Sequence, residues 1–424
     1  MDGWTKGTLG GLCSIEIGGT PSRSNPDYWD STKDTSNRWV SIKDLNRRMV
    51  CETAEQITDL GVRNSNVKQQ PKGTVLLSFK LSIGRVAFAG CDLYTNEAIA
   101  GLRSEELTPE FLFYGLQQWN LLQNVDQAIK GATLNKDKLK KIEFKYPESL
   151  VEQTKIAEVL STLDRAIEQT EALIAKQQRI KTGLMQDLLT KGIDEHGNIR
   201  SEATHAFKDS PLGRIPLEWD AKLLDDCISS DAPICYGILM PGTGVDDGVP
   251  VIKVKDIFDG EICLNDLLLT DPKIDAAYKR SRLRTNDLLI TIRGTTGRVA
   301  LVPIALDGAN ITQDAARIRL KAGHLSVYFF YLLQSADVQA QVDLQTLGQA
   351  VKGINIAEVR RLRVPVPPED EQKRICQLLE QIHSAWQASA KYRDKLLLQK
   401  AGMMHDLLTA KRRVTPLLEP AAAQ

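Results

Sequence analysis

The stretch EQTKIAEVL at residues 152–160 returns later in the chain as EQKRICQLL at residues 371–379. A second stretch, MQDLLT at residues 185–190, returns as MHDLLT at residues 404–409. The spacing between the two stretches is the same in both copies, so no residue has been gained or lost between them. A repeat of this length is too long for a solenoid, and it indicates that a whole domain and a helix have been duplicated.

Shorter matches extend the duplication upstream of these stretches. GRVA at residues 84–87 recurs at residues 297–300, and the pair Lys43-Asp44 recurs as Lys255-Asp256. Trp4 near the start of the chain matches Trp219. The chain therefore consists of two copies of one domain, each followed by a helix.

Length and composition fit this organisation. The chain has 424 residues, which corresponds to about two to three domains. It contains no apolar run long enough to cross a bilayer, and its first residues do not resemble a leader, so we expect a cytoplasmic protein. The seven cysteines are scattered and never spaced as C-x-x-C, which argues against a disulfide framework and a zinc site.

Each mixed domain is predicted to combine strands and helices. Apolar, β-branched runs at residues 39–42, 74–79 and 98–102 are typical of strands. Thr108 followed by Pro109 predicts the N-cap and first position of a helix. The second copy repeats this order, with runs at 251–254, 286–292 and 315–320 and a helix from Ser326. Both copies are therefore predicted to be α+β domains.

Two long helices are predicted after these domains. Nearly forty residues follow each domain with no proline and almost no glycine. Apolar residues recur there at alternating steps of four and three, which is typical of a coiled-coil seam. The middle of the seam is polar, with Lys181 and Lys400 among its residues. The predicted seam consists of Ile156, Leu160, Leu163, Ile167, Ile174, Leu184 and Leu188 in the first helix, and Ile375, Leu379, Ile382, Trp386, Leu396, Met403 and Leu407 in the second.

Geometry then favours one arrangement of these parts. A helix of about 36 residues is roughly 54 Å long, so the first helix carries the chain away from the first domain, and the second helix buries the seam by running back. We predict an antiparallel pair with a domain at each end and pseudo-two-fold symmetry, a layout suited to a split DNA site. The predicted segments are a first domain at 1–149, a first helix at 150–192, a linker at 193–212, a second domain at 213–368, a second helix at 369–412 and a tail at 413–424.

This order of segments resembles the specificity subunit of type I restriction-modification enzymes. GRIPLEW at residues 213–219 and GGTPS at residues 18–22 are similar to stretches typical of that family. The resemblance implies that each mixed domain is a target recognition domain that binds one half of a bipartite double-stranded DNA sequence, and that the helices set the spacing. It also implies two modification subunits that bind S-adenosylmethionine and methylate adenine, and restriction subunits using ATP and Mg²⁺ that can join.

The residues themselves also favour a chain that does no chemistry. The sequence contains no adenine-methyltransferase motif, no G-x-x-x-x-G-K-[ST] loop and no H-E-x-x-H pair. GTTG at residues 294–297 lies between two strand-like runs, so a hairpin turn is the stronger interpretation. The five histidines lie far apart. We therefore predict no catalytic or metal site and no cofactor within this chain.

Candidate DNA contacts are sought among basic and polar side chains, although the net charge of the chain is zero. Basic positions shared by both copies suit phosphate contact or docking, because base readout should differ between the halves. Exposed charges without any DNA role are the alternative. The shared pairs are Lys43 with Lys255, Lys80 with Arg293, Arg85 with Arg298 and Lys130 with Lys352, and the candidate readers of bases include Thr20, Ser22 and Arg23 in the first half and Lys253 in the second.

Three alternatives stay open from the sequence. One is an enzyme with unfamiliar motifs, and another is a coiled-coil scaffold that binds no DNA. The third is the recognition subunit of a system in which nuclease and methylase are fused in one partner.

Overall fold

The computed structural model describes residues 3–121, 134–346 and 353–418. These residues fall into two compact units, the first formed by Met1–Ala172 with Ala390–Gln424 and the second by Leu173–Ser389. Each unit contains one mixed domain and a part of both long helices. The long helices span Leu150–Thr190 and Glu369–Leu408. The predicted mixed domains and the predicted long helices are therefore confirmed.

The first unit is built on two sheets. The larger has five strands, and the smaller has four. A separate antiparallel ribbon joins Trp4–Thr8 to Glu143–Pro147, so both ends of the mixed domain meet just before the first long helix begins. The strand orders are Ser14–Ile17, Ile99–Arg103, Val75–Ser78, Val86–Ala89 and Met49–Val50 in the larger sheet, and Glu55–Gln56, Arg38–Val40, Leu93–Thr95 and Gln69–Gln70 in the smaller.

Helices complete the first unit. The predicted helix start is confirmed, because Thr108 is the N-cap of helix Pro109–Gln118 and its hydroxyl accepts a hydrogen bond from the backbone N–H of Phe111. This cap satisfies an amide that has no partner within the helix. The shorter helices are Leu9–Leu12, Asp59–Arg63 and Lys136–Lys140.

The second unit repeats this plan. Its ribbon joins Asp220–Leu223 to Arg363–Val366. Its larger sheet has four strands, in the order Cys235–Tyr236, Ala315–Ile318, Leu288–Thr291 and Val299–Leu301. Its smaller sheet has three, in the order Leu268–Thr270, Val249–Ile252 and Asn310–Ile311. A separate pair joins Ile257–Phe258 to Glu261–Ile262. The helices are Pro272–Ala277, Ser326–Leu333, Ala336–Gln345 and Ile356–Arg361.

The long helices pack antiparallel within each unit. In the first unit, Ile156 and Leu160 share one buried cluster with Met404 and Leu407. In the second unit, Leu188 belongs to the same buried cluster as Ile375 and Leu379. In both units, therefore, the start of one long helix lies beside the end of the other.

The seam residues differ in how far they are buried. Eight are buried and five are half-buried. Met403 is 43% exposed, whereas its neighbour Met404 is 8% exposed, so the assignment of Met403 to the seam is wrong. One residue turns the side chain by about 100°, and the strict alternation of steps placed the seam one position too early. The buried residues are Ile156, Leu160, Ile167, Leu188, Ile375, Leu379, Leu396 and Leu407, and the half-buried ones are Leu163, Ile174, Leu184, Ile382 and Trp386.

The polar middle of the helices contains two matched contacts. Lys400 Nζ lies 2.6 Å from Asp164 Oδ1 in the first unit. Lys181 Nζ lies 3.2 Å from His383 Nδ1 in the second. The two lysines occupy equivalent repeat positions, as do Asp164 and His383. The duplicated lysine thus meets a carboxylate in one copy and an imidazole in the other.

A buried glutamine attaches each mixed domain to a long helix. The side-chain amide of Gln153 donates to Glu106 O and Pro147 O, and its carbonyl accepts from the backbone N–H of Thr108. Gln372 repeats this pattern: its side-chain amide donates to Pro367 O and lies 3.5 Å from Gly323 O, and its carbonyl accepts from the backbone N–H of Leu325. Each glutamine therefore joins the start of a long helix to the mixed domain that precedes it, at the N-cap of a helix of that domain.

The expected linker and tail are more ordered than their composition indicates. Residues 193–212 contain strand Phe207–Ser210, which pairs with Gly213–Pro216, and Ile193 is buried. In the expected tail, Val414 is buried and Arg413 forms an ion pair with Glu152. Both segments are therefore parts of the units, because apolar and charged side chains fix them there.

Candidate nucleic-acid interface

A duplicated hairpin positions several of the candidate residues. Val75–Ser78 pairs with Val86–Ala89 in the first unit, and Leu288–Thr291 pairs with Val299–Leu301 in the second. The hydroxyl of Ser78 accepts from the backbone N–H of Arg85 at 2.9 Å, and Thr291 does the same for Arg298 at 2.9 Å. Residues 294–297 therefore form a hairpin turn, as the sequence predicts.

The shared arginines of this hairpin contact backbone carbonyls. Arg85 Nη1 lies 3.4 Å from Ile42 O, and Arg298 Nη1 donates to Ile257 O at 2.8 Å and lies 3.4 Å from Val254 O. The carbonyls of Ile42 and Val254 belong to the short turns that carry Lys43 and Lys255, and Ile257 follows directly after the second of these turns. The duplicated arginine thus ties the hairpin to a neighbouring turn in each unit.

Lys43 and Lys255 project from those turns into solvent. The turns are 3₁₀ helices, Ile42–Asp44 and Val254–Asp256. Asp44 accepts from the backbone N–H of Ser41, and Asp256 accepts from the backbone N–H of Lys253, each at 2.8 Å. Lys43 and Lys255 are exposed, while Lys253 is half-buried. Exposed ammonium groups on a fixed turn suit contact with a phosphate.

The remaining shared positions differ from one another. Lys80 is half-buried with Nζ 5.4 Å from the ring centroid of Phe79, and Arg293 is exposed just after strand Leu288–Thr291. Lys130 and Lys352 lie outside the residues that the structure describes.

The candidate readers of the first unit lie in one loop. The guanidinium of Arg23 stacks 3.6 Å from the ring centroid of Trp29 and forms an ion pair with Glu55. The hydrogen bond from Arg23 lowers the pKa of Glu55 below its usual range. Thr20 donates to Glu97, and Ser22 Oγ lies 2.8 Å from Ser24 Oγ. Arg23 is therefore held on an aromatic surface, with one charged partner that a DNA group would have to replace.

A basic run that the comparison of copies missed lies in the second unit. Residues 279–284 read KRSRLR, and Arg280, Arg282 and Arg284 are exposed while Ser281 and Leu283 are buried. This run lines an open cleft of about 600 Å³. In the sequence, this run stands out by its many basic residues at alternating positions. Because the first copy lacks such a run, basic positions shared by both copies do not include it.

The family model described as type I restriction modification DNA specificity domain matches residues 1–177 and 246–396. The chain belongs to this DNA specificity family. Both mixed domains contribute to the match, which is in accord with the duplication.

Individual specificity subunits resemble the chain over different lengths. The EcoBI specificity subunit of Escherichia coli is 32% identical over 55% of this chain and 50% of its own length, so the chain spans about half of that relative. The putative MjaX specificity subunit of Methanocaldococcus jannaschii is 26% identical over 86% of both chains.

Two solved structures share the fold of this specificity family member. The type I restriction-modification S subunit of M. genitalium superimposes with a TM-score of 0.57 at 14% identity and covers 96% of both chains. A chain from a structural study of type I complex assembly superimposes with a TM-score of 0.60 at 16% identity, covering 97% of this chain and 99% of that one.

Within residues 3–121, 134–346 and 353–418, no three His, Cys, Asp or Glu side chains lie close enough to hold a metal ion. Burial raises the pKa of the Cys376 thiol to about 12 and that of Cys227 to about 11, so these thiols are poor nucleophiles at neutral pH. None of the described helices is both long and apolar enough to cross a membrane.

Proposed function

We propose that this chain is the DNA-recognition subunit of a type I restriction-modification complex, in which each unit binds one half of a bipartite duplex target. The observation that carries the proposal is that one mixed domain occurs twice, joined each time to a long helix by the same buried glutamine, Gln153 or Gln372. Two equivalent but non-identical modules suit two different half-sites, because base contacts must differ where the sequences differ.

Phosphate contact and base readout would then come from different side chains. Lys43 and Lys255 occupy matched, exposed positions and suit the contacts that both half-sites share. Arg23 stacks on Trp29 in the first unit and is suited to bidentate contact with guanine once Glu55 is displaced. In the second unit Tyr236 is 43% exposed and Arg280 lies over its ring, which gives that unit a different set of side chains.

The long helices would set the distance between the half-sites and bind the partners. In this proposal two modification subunits dock on the helices, bind S-adenosylmethionine and methylate adenine, and restriction subunits that use ATP and Mg²⁺ can join. The partners then carry out methyl transfer and cleavage, and this chain selects the DNA sequence. The pseudo-two-fold relation between the units is part of the proposal, because the duplex has the same symmetry.

Discrimination between DNA sequences improves when two short half-sites are read together. A mismatched base pair costs about 1–3 kcal/mol, so a short half-site alone is weakly discriminated. Linking two modules makes the second binding event intramolecular, and a wrong spacing loses that gain. Specificity would therefore depend on both half-sites and on their separation.

The test is a genome-wide map of methylated adenine in cells with and without this chain, with the modification subunit present in both. The expected result is a bipartite motif of fixed spacing that disappears on deletion. A methylation pattern that does not change on deletion would refute the proposal. Methyl transfer to DNA by the purified chain alone would favour an enzyme instead, and the absence of sequence-selective binding with the modification subunit present would favour a scaffold.

A further inference from the structure

The open cleft of the second unit concentrates positive charge. Seven basic side chains and two acidic ones line its volume of about 600 Å³. The chain as a whole has no net charge, so this surface differs strongly from the average. An excess of this kind attracts an anion.

Three of the seven cations are already paired. Arg282 forms an ion pair with Asp275. Arg319 Nη2 lies 2.6 Å from Asp287 Oδ2, and Arg360 Nε lies 3.5 Å from Asp225 Oδ1. The other four form no ion pair with any residue that the structure describes, and they are Lys279, Arg280, Arg284 and Arg317.

Arg317 is the most deeply buried of the four. It is 2% exposed, and its Nη2 donates to Pro233 O at 2.9 Å. Its Nε finds no hydrogen-bond partner in the described part of the chain. A buried guanidinium without a carboxylate is costly, and an anion in the cleft would reduce that cost.

A buried polar network fixes the backbone of the basic run. Ser281 donates to Asn310 Oδ1 at 2.8 Å, and Asn310 donates to Asp275 Oδ1 at 2.8 Å. Arg282 Nε donates to the other oxygen of Asp275 at 2.7 Å. Arg282 is thus used in holding the run, while Arg280 and Arg284 on either side are left exposed in a fixed position. Such preorganisation lowers the entropic cost of binding.

The first unit has no arginine at the strand position that matches Arg317. Arg317 is paired with Leu289 in its sheet, and Gly101 is paired with Leu76 at the same position of the first copy. A Cβ at Gly101 would lie 1.9 Å from Oε1 of Gln70, so a glutamine side chain fills the space there. The arginine is therefore specific to the second copy and is not required by the shared fold.

We propose that this cleft binds backbone phosphates of the duplex that carries the second half-site. The inference rests on the proposed function and deepens it by locating a contact. Guanidinium groups match phosphate oxygens in geometry and stay charged. Tyr236 lies at its edge, with the Arg280 guanidinium 5.5 Å from its ring centroid.

The experiment uses the full chain assembled with its modification subunit and a labelled duplex that carries the target found by methylation mapping. Affinity is measured at a series of KCl concentrations. The double variant Arg280→Gln/Arg284→Gln should lower the magnitude of the salt slope by about two and weaken binding roughly tenfold to hundredfold near 0.1 M salt. Affinity for a shuffled duplex should fall in parallel, because phosphates carry no sequence information.

A matched control removes the same charge elsewhere in the second unit. Lys208 and Lys321 do not line the cleft, so Lys208→Gln/Lys321→Gln should leave the slope unchanged. Arg280→Lys/Arg284→Lys should keep most of the slope, because the charge is retained. An unchanged slope in the arginine-to-glutamine variant, or an equal loss in the control, would overturn the inference. If the wild-type complex does not prefer its target over the shuffled duplex, the proposed function itself fails.

Discussion

Trp219 donates a 3.0 Å hydrogen bond from its indole Nε1 to Oε2 of Glu371, a carboxylate that is only 2% exposed. The other oxygen of Glu371 accepts from Arg200. Trp219 comes from the start of the second mixed domain, Glu371 from the start of a long helix and Arg200 from the segment after the other long helix. One carboxylate of a long helix therefore holds two segments of the second unit that are remote from it in sequence.

The first unit contains the same arrangement. Trp4 Nε1 lies 3.3 Å from Glu152 Oε1, and Arg413 Nε donates to the same oxygen at 2.7 Å. Arg200 and Arg413 come from segments of unrelated sequence, so the two copies form the same contact with different segments. The Glu-Gln pair at the head of the repeated stretch is thereby explained, because its glutamate and its glutamine each fix a mixed domain to a helix.

The carboxylate of Glu371 should be essential to the stability of the second unit. Glu371→Gln keeps the side-chain shape but leaves the buried Arg200 without a counter-charge, so the free energy of unfolding should fall by about 3–5 kcal/mol. Urea unfolding followed by tryptophan fluorescence measures this. The control Glu369→Gln removes an exposed carboxylate paired with Lys373 and should change stability by less than about 1 kcal/mol. Equal effects of the two variants would contradict the assignment.

The buried glutamines should matter equally in both copies. Gln153→Ala and Gln372→Ala each leave the backbone amide of Thr108 or Leu325 without its side-chain acceptor, so each should cost about 1–3 kcal/mol. Thermal unfolding of the two variants provides the comparison. Gln377→Ala replaces an exposed glutamine of the same long helix and should be close to neutral. A loss confined to one copy would show that the duplicated contact is not equivalent.

Neighbouring methionines test the position of the seam. Met404 packs in the buried cluster of the first unit, so Met404→Ala should cost about 2–5 kcal/mol. Met403→Ala changes an exposed side chain and should fall within about 0.5 kcal/mol. If chemical denaturation shows a larger loss of stability for Met403→Ala than for Met404→Ala, then Met403 belongs to the seam as first predicted.

Stability of the second unit should fall in mild acid. Burial, assisted by Lys181, lowers the pKa of His383 below its usual range, and Glu261 and Asp259 oppose the shift. Below about pH 6.5 the unfolded chain therefore takes up a proton more readily than the folded chain, and the free energy of unfolding decreases. Urea unfolding at several pH values between 7.5 and 5 measures this loss.

Replacing the histidine should flatten that profile. His383→Gln removes its contribution, and a smaller dependence should persist because burial also lowers the pKa of His324. His196→Gln, which changes an exposed side chain, should leave the profile as in wild type. A profile that is unaffected by His383→Gln would show that this imidazole does not control acid stability.

The proposed spacer role predicts a length dependence. Inserting seven residues into the middle of only one long helix should disrupt the antiparallel pairing and abolish target methylation, whereas matched insertions in both should lengthen the spacing between methylated half-sites. A heptad preserves the face that each helix presents to the other. Methylation mapping reports the spacing, and an unchanged spacing after matched insertions would rule out the spacer role.

Much of the architecture was predictable because its signals are local or periodic. Thr108 with Pro109 predicted a helix start that the structure confirms, and the repeated stretches predicted both long helices. The predicted seam of the second helix was displaced by one residue at Met403, since Met403 and Met404 are both apolar and only packing distinguishes them. The order within the predicted linker was not visible in its composition, because Ile193 and Arg200 are buried and both contact Glu371, which is remote in sequence.

The candidate interface was less predictable than the fold. Comparison of the copies selected Arg298, whose guanidinium contacts carbonyls of a neighbouring turn, and passed over Arg280, which has no equivalent in the first copy. Composition alone does not distinguish a structural arginine from one available to a ligand.

The sequence by itself determined the duplication, because the two copies can be compared letter by letter. It also determined the alternation of mixed domains with long helices, and the caps and turns, because these depend on residues close together in the chain. Only the tertiary structure decided which charges are paired. Arg282 forms an ion pair with a buried aspartate, whereas Arg284 in the same run forms no ion pair with any described residue. The reason is physical: an ion pair depends on a distance between atoms that folding sets, and the order of residues does not contain that distance.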